Sequence, residues 1–183
     1  MLKTVSVFFL FLFSSSLTLA TPSTIFLIRH AEKPSSGPEL SERGWERAKA
    51  LPMLFSRQDF SNYGTPACLI GMNKKKVDGS VRALQTLKYV SDFFHVPVTD
   101  LFNKDQDKEM LHFVMTAPEC NNRLVVISWE HNGLEGIATD LGVKPAAKWP
   151  GDVYDRVWVI DWKNGQVQMQ SLPQRLLEGD SDQ

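Results

Sequence analysis

The sequence predicts an α/β fold, a three-layer α/β/α sandwich whose mostly parallel central sheet ends in a C-terminal hairpin. Three observations predict this fold. Short β-branched and apolar runs alternate with segments that have the patterns of helices. Asn164-Gly165 separates the last two extended runs, and this dipeptide is typical of a tight hairpin turn. Apolar residues make up 43% of the 183 residues, which is enough for one folded core.

The strands are predicted from short apolar runs that loop residues interrupt. Helical segments separate the earlier runs, and parallel strands need such crossovers, so we expect these strands to pair in parallel. The last two runs flank the Asn-Gly turn and are expected to pair antiparallel, which makes the sheet mixed. In chain order, the predicted strands cover residues 24–28, 69–72, 96–101, 124–128, 157–162 and 167–171.

Four segments are predicted as helices. The first begins after Ser41, a predicted N-cap, and Pro52 is expected to kink it or end it early. The second begins after Ser80, which is also a predicted N-cap. The third covers residues 107–115, and the fourth ends at Gly142. Three of these helices have an apolar face, formed by Trp45, Ala48, Leu51 and Phe55, by Val81, Leu84, Leu87 and Val90, and by Leu134, Ile137, Ala138 and Leu141.

The first twenty residues have the pattern of a secretory signal. Lys3 supplies a positive charge, residues 7–13 form an unbroken apolar run, and residues 18–20 resemble a cleavage site. The apolar run is shorter than the about 20 residues that a membrane span needs. We therefore expect a signal peptide over residues 1–20 and a secreted, extracellular protein that leaves the membrane after cleavage, with an uncleaved anchor as the alternative. One domain is predicted over residues 21–175, followed by a frayed polar tail over residues 176–183.

Charge and cysteine content exclude several classes of protein. The net charge is −1, whereas dedicated binders of nucleic acids or membrane surfaces carry a basic excess. Two cysteines are too few for a disulfide-dense small protein or a four-thiolate zinc site. Cys68 and Cys120 both stand near the amino-terminal ends of predicted strands, so a disulfide between them is possible at that edge of the sheet. Two free, half-buried thiols are the alternative.

Charged side chains stand at one rim of the predicted sheet. Arg29 and His30 follow the first strand, Arg82 lies at the start of the second helix, and Glu130 and His131 follow the fourth strand. Open α/β sheets bind ligands beyond the carboxyl ends of their strands. Two histidines and two arginines without a thiolate cluster favour phosphate over a metal ion, because the planar guanidinium group matches phosphate oxygens.

The same residues lie in motifs of a known family. Residues 28–34 read Ile-Arg-His-Ala-Glu-Lys-Pro, and residues 80–86 read Ser-Val-Arg-Ala-Leu-Gln-Thr. These motifs resemble the opening motif and the second arginine motif of the histidine phosphatase superfamily, the phosphoglycerate mutase-like group. Two further segments are similar to that family's first helix entry and second histidine motif, namely residues 40–44 with Arg47-Ala48, and residues 125–131 with Gly133. The resemblance extends over residues 24–162 and implies a phosphoglycerate mutase-like fold.

The resemblance also implies roles for the rim residues. His30 would be the nucleophile that forms a phosphohistidine, and Arg29, Arg82 and His131 would bind the phosphate oxygens. The implied protein is a metal-independent histidine phosphatase without a cofactor, and its partner is a small phosphorylated substrate or a phosphoprotein. Such chemistry depends mainly on positioning and on fixed positive charge.

The sequence leaves most open which carboxyl group acts as the general acid that protonates the leaving oxygen. Glu130, directly before His131, is the predicted general acid, although adjacent strand residues point to opposite faces. Asp105 and Asp107 are alternatives, and so is Glu32, which could instead fix the loop.

The sequence departs from the family in two respects. No Asn follows the opening motif at residues 34–37, and no large insertion supplies a helical cap. The missing cap predicts an open, shallow pocket. Lys74, Lys75 and Lys76 could steer an anionic substrate there, or form a plain exposed loop. A phosphoglycerate mutase-like phosphotransferase and a catalytically silent binding module on the same scaffold are the alternatives to a phosphatase.

Overall fold

The computed structural model describes residues 21–181. Within them, six strands form one mixed sheet with the order β3-β2-β4-β1-β5-β6. Strands β1 to β4 pair in parallel, whereas β5 is antiparallel to both β1 and β6. The strands are β1 (Thr24–Arg29), β2 (Pro66–Gly71), β3 (Val98–Thr99), β4 (Leu124–Trp129), β5 (Arg156–Lys163) and β6 (Gln166–Pro173). The predicted mixed sheet and its closing hairpin are confirmed, and β3 is shorter than predicted.

Helices cover both faces of this sheet, which confirms the predicted three layers. The helices are α1 (Glu42–Ala50), α2 (Arg82–Phe94), α3 (Asp107–Thr116) and α4 (His131–Asp140). Side chains alternate along β1, so Ile25 and Leu27 pack in the core beneath α3 and α4. Phe26 and Ile28 point the other way and pack with residues of α2 and of a 3-10 helix, Leu51–Ser56. None of the helices in this part of the chain is long and apolar enough to cross a membrane.

The predicted starts and ends of the helices are partly confirmed. Ser41 is the N-cap of α1, and its Oγ accepts a hydrogen bond from the Gly44 N–H at 3.1 Å. Pro52 ends this helix early, as predicted, and the chain continues as the 3-10 helix. The prediction of Ser80 as an N-cap is wrong by one residue. Val81 occupies the N-cap position of α2 and makes no capping hydrogen bond, while the Ser80 hydroxyl accepts hydrogen bonds from the Arg82 backbone N–H at 3.4 Å and from its Nη1 at 3.2 Å.

A disulfide joins Cys68 and Cys120, with 5.2 Å between their Cα atoms. Cys68 lies in β2 and Cys120 shortly before β4, so the bond crosses the amino-terminal edge of the sheet. The possible disulfide of the sequence analysis is therefore present, and the alternative of two free thiols is wrong. Closing a loop of 52 residues restricts the unfolded chain and stabilises the fold by about 4 kcal/mol.

The chain after β6 is held against the domain. The side chain of Asp180 is only 2% exposed and forms an ion pair with Arg47 at 2.7 Å. It also accepts hydrogen bonds from the backbone N–H groups of Leu176 and Leu177. The expectation of a frayed tail is wrong for residues 176–181, because these contacts fix the segment. The predicted signal over residues 1–20 lies outside the described residues.

Candidate active site

Strand register brings the predicted rim residues together. Arg29 is opposite Trp129, and the His30 N–H donates to the Trp129 carbonyl at 2.9 Å. Since β1 and β4 are parallel, the residues that follow both strands lie at the same edge of the sheet. His131 is the first residue of α4, and Arg82 is the first residue of α2.

His30 is buried and held in one tautomer. Its Nδ1 lies 2.7 Å from the Ala31 carbonyl, which can only accept a hydrogen bond, so Nδ1 carries the proton and Nε2 carries a lone pair. Burial, helped by the nearby Arg29, Arg82 and His131, lowers the pKa of His30 from 6.5 to about 4, although the hydrogen bond to the Ala31 carbonyl opposes this shift. The partner that fixes the tautomer was open in the sequence analysis, and it is this backbone carbonyl.

Thr86 fixes the chain around His30. Its buried hydroxyl accepts a hydrogen bond from the Ala31 N–H at 2.8 Å and donates to the Arg82 carbonyl at 2.7 Å. One side chain thus joins the loop after β1 to the first turn of α2. The sequence analysis assigned Thr86 no role, although it is the last residue of the second arginine motif.

Arg29 is 1% exposed, and the loop before β5 surrounds it. Nη1 donates to the carbonyls of Gly151 and Val153 at 2.7 and 3.1 Å, and Nη2 donates to the Tyr154 hydroxyl at 3.1 Å. The guanidinium carbon lies 3.7 Å from the centre of the Tyr154 ring. Burial lowers the pKa of Arg29, and Tyr154 opposes this effect. Nε is buried and has no hydrogen-bond partner within residues 21–181, so this N–H is an unsatisfied buried donor next to the rim.

The same loop lies beside His131. A Cβ atom at Gly151 would stand 3.6 Å from His131 Nε2, so this stretch of backbone passes close to the imidazole. Burial lowers the pKa of His131, and the charge of Arg29 lowers it too, whereas Glu130 opposes the shift. Nothing in the sequence indicated a role for residues 150–154, because they form an irregular loop without a motif.

Arg82 is half-buried and holds the loop after β1. Nε donates to the Glu39 carbonyl at 2.9 Å, Nη1 to Ser80 Oγ at 3.2 Å, and Nη2 to the Gly37 carbonyl. A guanidinium group has five N–H donors, so these bonds leave donors for a ligand. The positive charge of Arg82 acts on His30, as its effect on the pKa there shows.

Glu130 is the carboxylate beside His131. It is half-buried at the N-cap position of α4, where its side chain makes no capping hydrogen bond. It lines a cleft of about 420 Å³ together with Ser80 and the lysines of the loop after β2. Among the residues that the structure describes, the carboxylate has no hydrogen-bond or ion-pair partner, and it faces the cleft next to the rim.

The alternative carboxylates have other partners. Glu32 accepts two hydrogen bonds from Arg47 Nε at 3.0 Å each and a third from Nη2 at 2.7 Å, so it fixes the fold. Asp105 forms an ion pair with Lys75, which lowers the pKa of that carboxyl. Asp107 lies at the start of α3, where Oδ1 accepts the N–H of Lys108. The structure brings none of the three into contact with His30 or His131.

Asp152 is a carboxylate that sequence reasoning missed. It lies in the loop around Arg29 and raises the pKa of that guanidinium through its charge. It also lines a depression with Glu32, Arg47 and Tyr154. Within residues 21–181, no three His, Cys, Asp or Glu side chains are close enough to hold a metal ion.

No family model and no curated protein matches the sequence. Solved structures match over most of the chain. A protein histidine phosphatase, SixA, complexed with tungstate is 15% identical at a TM-score of 0.56, over 82% of this chain and 97% of the other. A candidate alpha-ribazole-5'-P phosphatase from Escherichia coli K-12 is 16% identical at a TM-score of 0.55, over 86% of this chain and 98% of the other. The alpha-ribazole phosphatase from Shigella flexneri is 16% identical at a TM-score of 0.50, over 86% of this chain and 100% of the other. The chain has the histidine phosphatase fold.

Proposed function

We propose that the protein is a metal-independent phosphatase that hydrolyses a phosphomonoester through a phosphohistidine on His30. The observation that carries this proposal is the state of His30. Its Nδ1 proton is held by the Ala31 carbonyl, and burial and neighbouring cations keep the ring neutral, so the Nε2 lone pair is available at neutral pH. The fold shared with SixA and the alpha-ribazole phosphatases supports the same activity.

The first step transfers the phosphoryl group to the histidine. The Nε2 lone pair attacks phosphorus, an N–P bond forms, and the ester P–O bond breaks with its electron pair on the leaving oxygen. Glu130, the unpaired carboxyl group beside His131, donates a proton to this oxygen. Because the Ala31 carbonyl accepts from Nδ1, it also stabilises the positive charge that develops on the ring.

The second step releases phosphate. Glu130, now a carboxylate, accepts a proton from a water molecule as the water oxygen attacks phosphorus. The N–P bond breaks, and its electron pair returns to Nε2. The two steps together return His30 and Glu130 to their starting states, and water is the co-reactant that the cycle consumes.

Hydrogen-bond donors and two guanidinium charges stabilise the phosphoryl oxygens in both steps. Arg29 and the remaining donors of Arg82 would supply the positive charge, and the imidazole of His131 would supply a neutral N–H donor. Tungstate, which the SixA structure contains, is a tetrahedral oxyanion like phosphate. The two guanidinium groups supply the positive charge that phosphoryl transfer requires, so the mechanism does not call for a metal ion.

We further propose that the enzyme works outside the cell. The signal pattern of residues 1–20 and the disulfide between Cys68 and Cys120 support this location, because disulfides persist in oxidising compartments.

Hydrolysis of an aryl phosphate in the presence of EDTA tests the activity. The purified protein is expected to turn over the substrate, and His30→Ala is expected to lose at least about a thousandfold in kcat. His112→Ala is the matched control, since His112 is exposed on α3. Alkaline quenching of a reaction with labelled substrate should leave label on the wild-type protein and none on His30→Ala.

Other results would change the assignment. Equal activity in both proteins would show that a different site acts on the substrate. Inactivity of both, with tungstate still bound, would favour the silent binding module. Transfer of the label to a second substrate molecule rather than to water would favour the phosphotransferase.

A further inference from the structure

A basic cleft adjoins the proposed phosphate site. It has a volume of about 420 Å³ and lies between the loop after β2 and the end of β4. We call it the lysine cleft, and its lining includes Lys74–Lys76, Ser80, Lys104 and Glu130. The proposed reaction uses only Glu130 from this set, so the lysines have no assigned role in it.

The lysine cleft is continuous with the groups that would bind phosphate. The Ser80 hydroxyl accepts a hydrogen bond from Arg82 Nη1 at 3.2 Å, and Glu130 directly precedes His131. A substrate whose phosphoryl group lies between Arg82 and His131 therefore has the lysine cleft on one side. The remainder of such a substrate can extend into this space.

Backbone contacts hold the loop that carries the three lysines. The Asn73 N–H donates to the Phe102 carbonyl at 2.7 Å, and its Nδ2 donates to the Asp100 carbonyl at 2.6 Å. The Gly79 N–H donates to the Lys76 carbonyl at 2.9 Å, closing a turn. A Cβ atom at Gly79 would lie 2.9 Å from that of Lys74, so the turn is too tight for another residue. The loop therefore presents its lysines from a fixed backbone.

The lysines of the cleft differ in their partners. Lys75 forms an ion pair with Asp105, and Lys74 donates to the Val77 carbonyl at 3.2 Å. Within residues 21–181, the ammonium groups of Lys76 and Lys104 make no hydrogen bond or ion pair, although the charge of Lys104 also acts on Asp105. Glu130 is the acidic residue in the lining, so the cleft keeps an excess of positive charge. Such an excess favours an anion.

We propose that the lysine cleft binds a second anionic group of the substrate, a carboxylate or a phosphate, through Lys76 and Lys104. This proposal rests on the proposed function and narrows it. The preferred substrate is a phosphomonoester that carries another negative charge within reach of the cleft. An ester with a neutral remainder is turned over less efficiently, because it leaves the two ammonium groups unpaired.

The test compares phenyl phosphate with 3-carboxyphenyl phosphate. The wild-type protein is expected to have the higher kcat/KM for the carboxylated ester, and added salt should reduce the difference. Lys76→Gln with Lys104→Gln should reduce this preference by between about twofold and thirtyfold, the range for two exposed ion pairs. Lys49→Gln with Lys163→Gln is the control, because it removes the same charge from α1 and from the far end of β5.

Binding measurements separate this inference from the proposed function. Calorimetry of orthophosphate and pyrophosphate needs no turnover, and the Lys76/Lys104 variant should lose affinity for pyrophosphate more than for orthophosphate. Two results would overturn the role of the cleft. In the first, the Lys76/Lys104 variant keeps the wild-type ratio of kcat/KM values for the two esters and the wild-type ratio of affinities for pyrophosphate and orthophosphate. In the second, the control variant loses as much of these preferences as the Lys76/Lys104 variant does. Selective loss of pyrophosphate binding in a protein without phosphatase activity would support the cleft and refute the proposed function.

Discussion

His30 is expected to remain neutral, and so able to attack phosphorus, down to about pH 4. Burial, together with the positive charges of Arg29 and Arg82, lowers its pKa from 6.5 to about 4. At pH 5, a group with a pKa of about 4 is about 90% neutral, whereas an ordinary histidine is about 3% neutral. The structure thus predicts an about thirtyfold larger reactive fraction at pH 5 than an exposed histidine would have.

NMR titration of the imidazole measures this pKa directly. The resonance of His30 is assigned by its absence in His30→Ala, and its midpoint is expected at about pH 4. The pH profile of kcat/KM is a second readout, but the phosphate ester itself titrates near pH 6, so the NMR midpoint decides. Arg82→Gln should raise the midpoint, because one of the nearby positive charges is removed.

A midpoint near 6.5 would refute the reasoning. It would mean that His30 is solvated like an exposed side chain, and that the buried geometry does not determine its protonation. If the midpoint is near 4 and Arg82→Gln leaves it unchanged, burial lowers the pKa of His30 as inferred, but the charge of Arg82 does not contribute.

Two further predictions concern Asp180 and Thr86. Burial raises the pKa of Asp180, but hydrogen bonds, above all the one from Arg47, outweigh this effect and lower the pKa from 3.8 to about 2. Asp180→Asn should therefore reduce the free energy of unfolding at pH 7 by about 2 kcal/mol. This contribution is present above pH 3.8 and is lost as the pH falls to about 2, so urea unfolding should show the two proteins converging over that window, and a constant gap would contradict the assignment. Thr86→Val leaves the buried Ala31 N–H without an acceptor and should cost about 1–3 kcal/mol in thermal unfolding and lower kcat/KM, whereas Thr86→Ser keeps the hydroxyl and should behave like wild type. A loss in Thr86→Ser with none in Thr86→Val would indicate that packing of the methyl group matters instead of the hydrogen bond.

Local patterns in the sequence were sufficient for the fold class and for the expectation that the rim residues lie at one edge of the sheet. The Asn164-Gly165 turn, the N-cap at Ser41 and the helix end at Pro52 depend on neighbouring residues, so they are predictable without the fold. Parallel strands end at one edge of a sheet, which is why the residues after β1 and β4 could be expected to meet. The resemblance of the motifs added the roles of these residues, which remain predictions.

Contacts between distant segments needed the tertiary structure. The Gly151 carbonyl that binds Arg29 is 122 residues away from it, and Asp180 is 133 residues away from Arg47. No periodic pattern relates such positions, since their pairing depends on how loops pack after the sheet has formed. For this reason the surroundings of Arg29, and the fixing of residues 176–181, were missed.

The protonation state of His30 illustrates the difference between what the sequence determines and what the tertiary structure determines. The sequence by itself determined that a histidine follows β1 and that arginines and a second histidine stand at the same rim. The tertiary structure decided that its ring is buried, that the Ala31 carbonyl binds Nδ1, and that Nε2 keeps its lone pair. Residue type sets which proton can be exchanged, but burial and the surrounding charges set the pH at which it leaves, and both exist only in the folded chain.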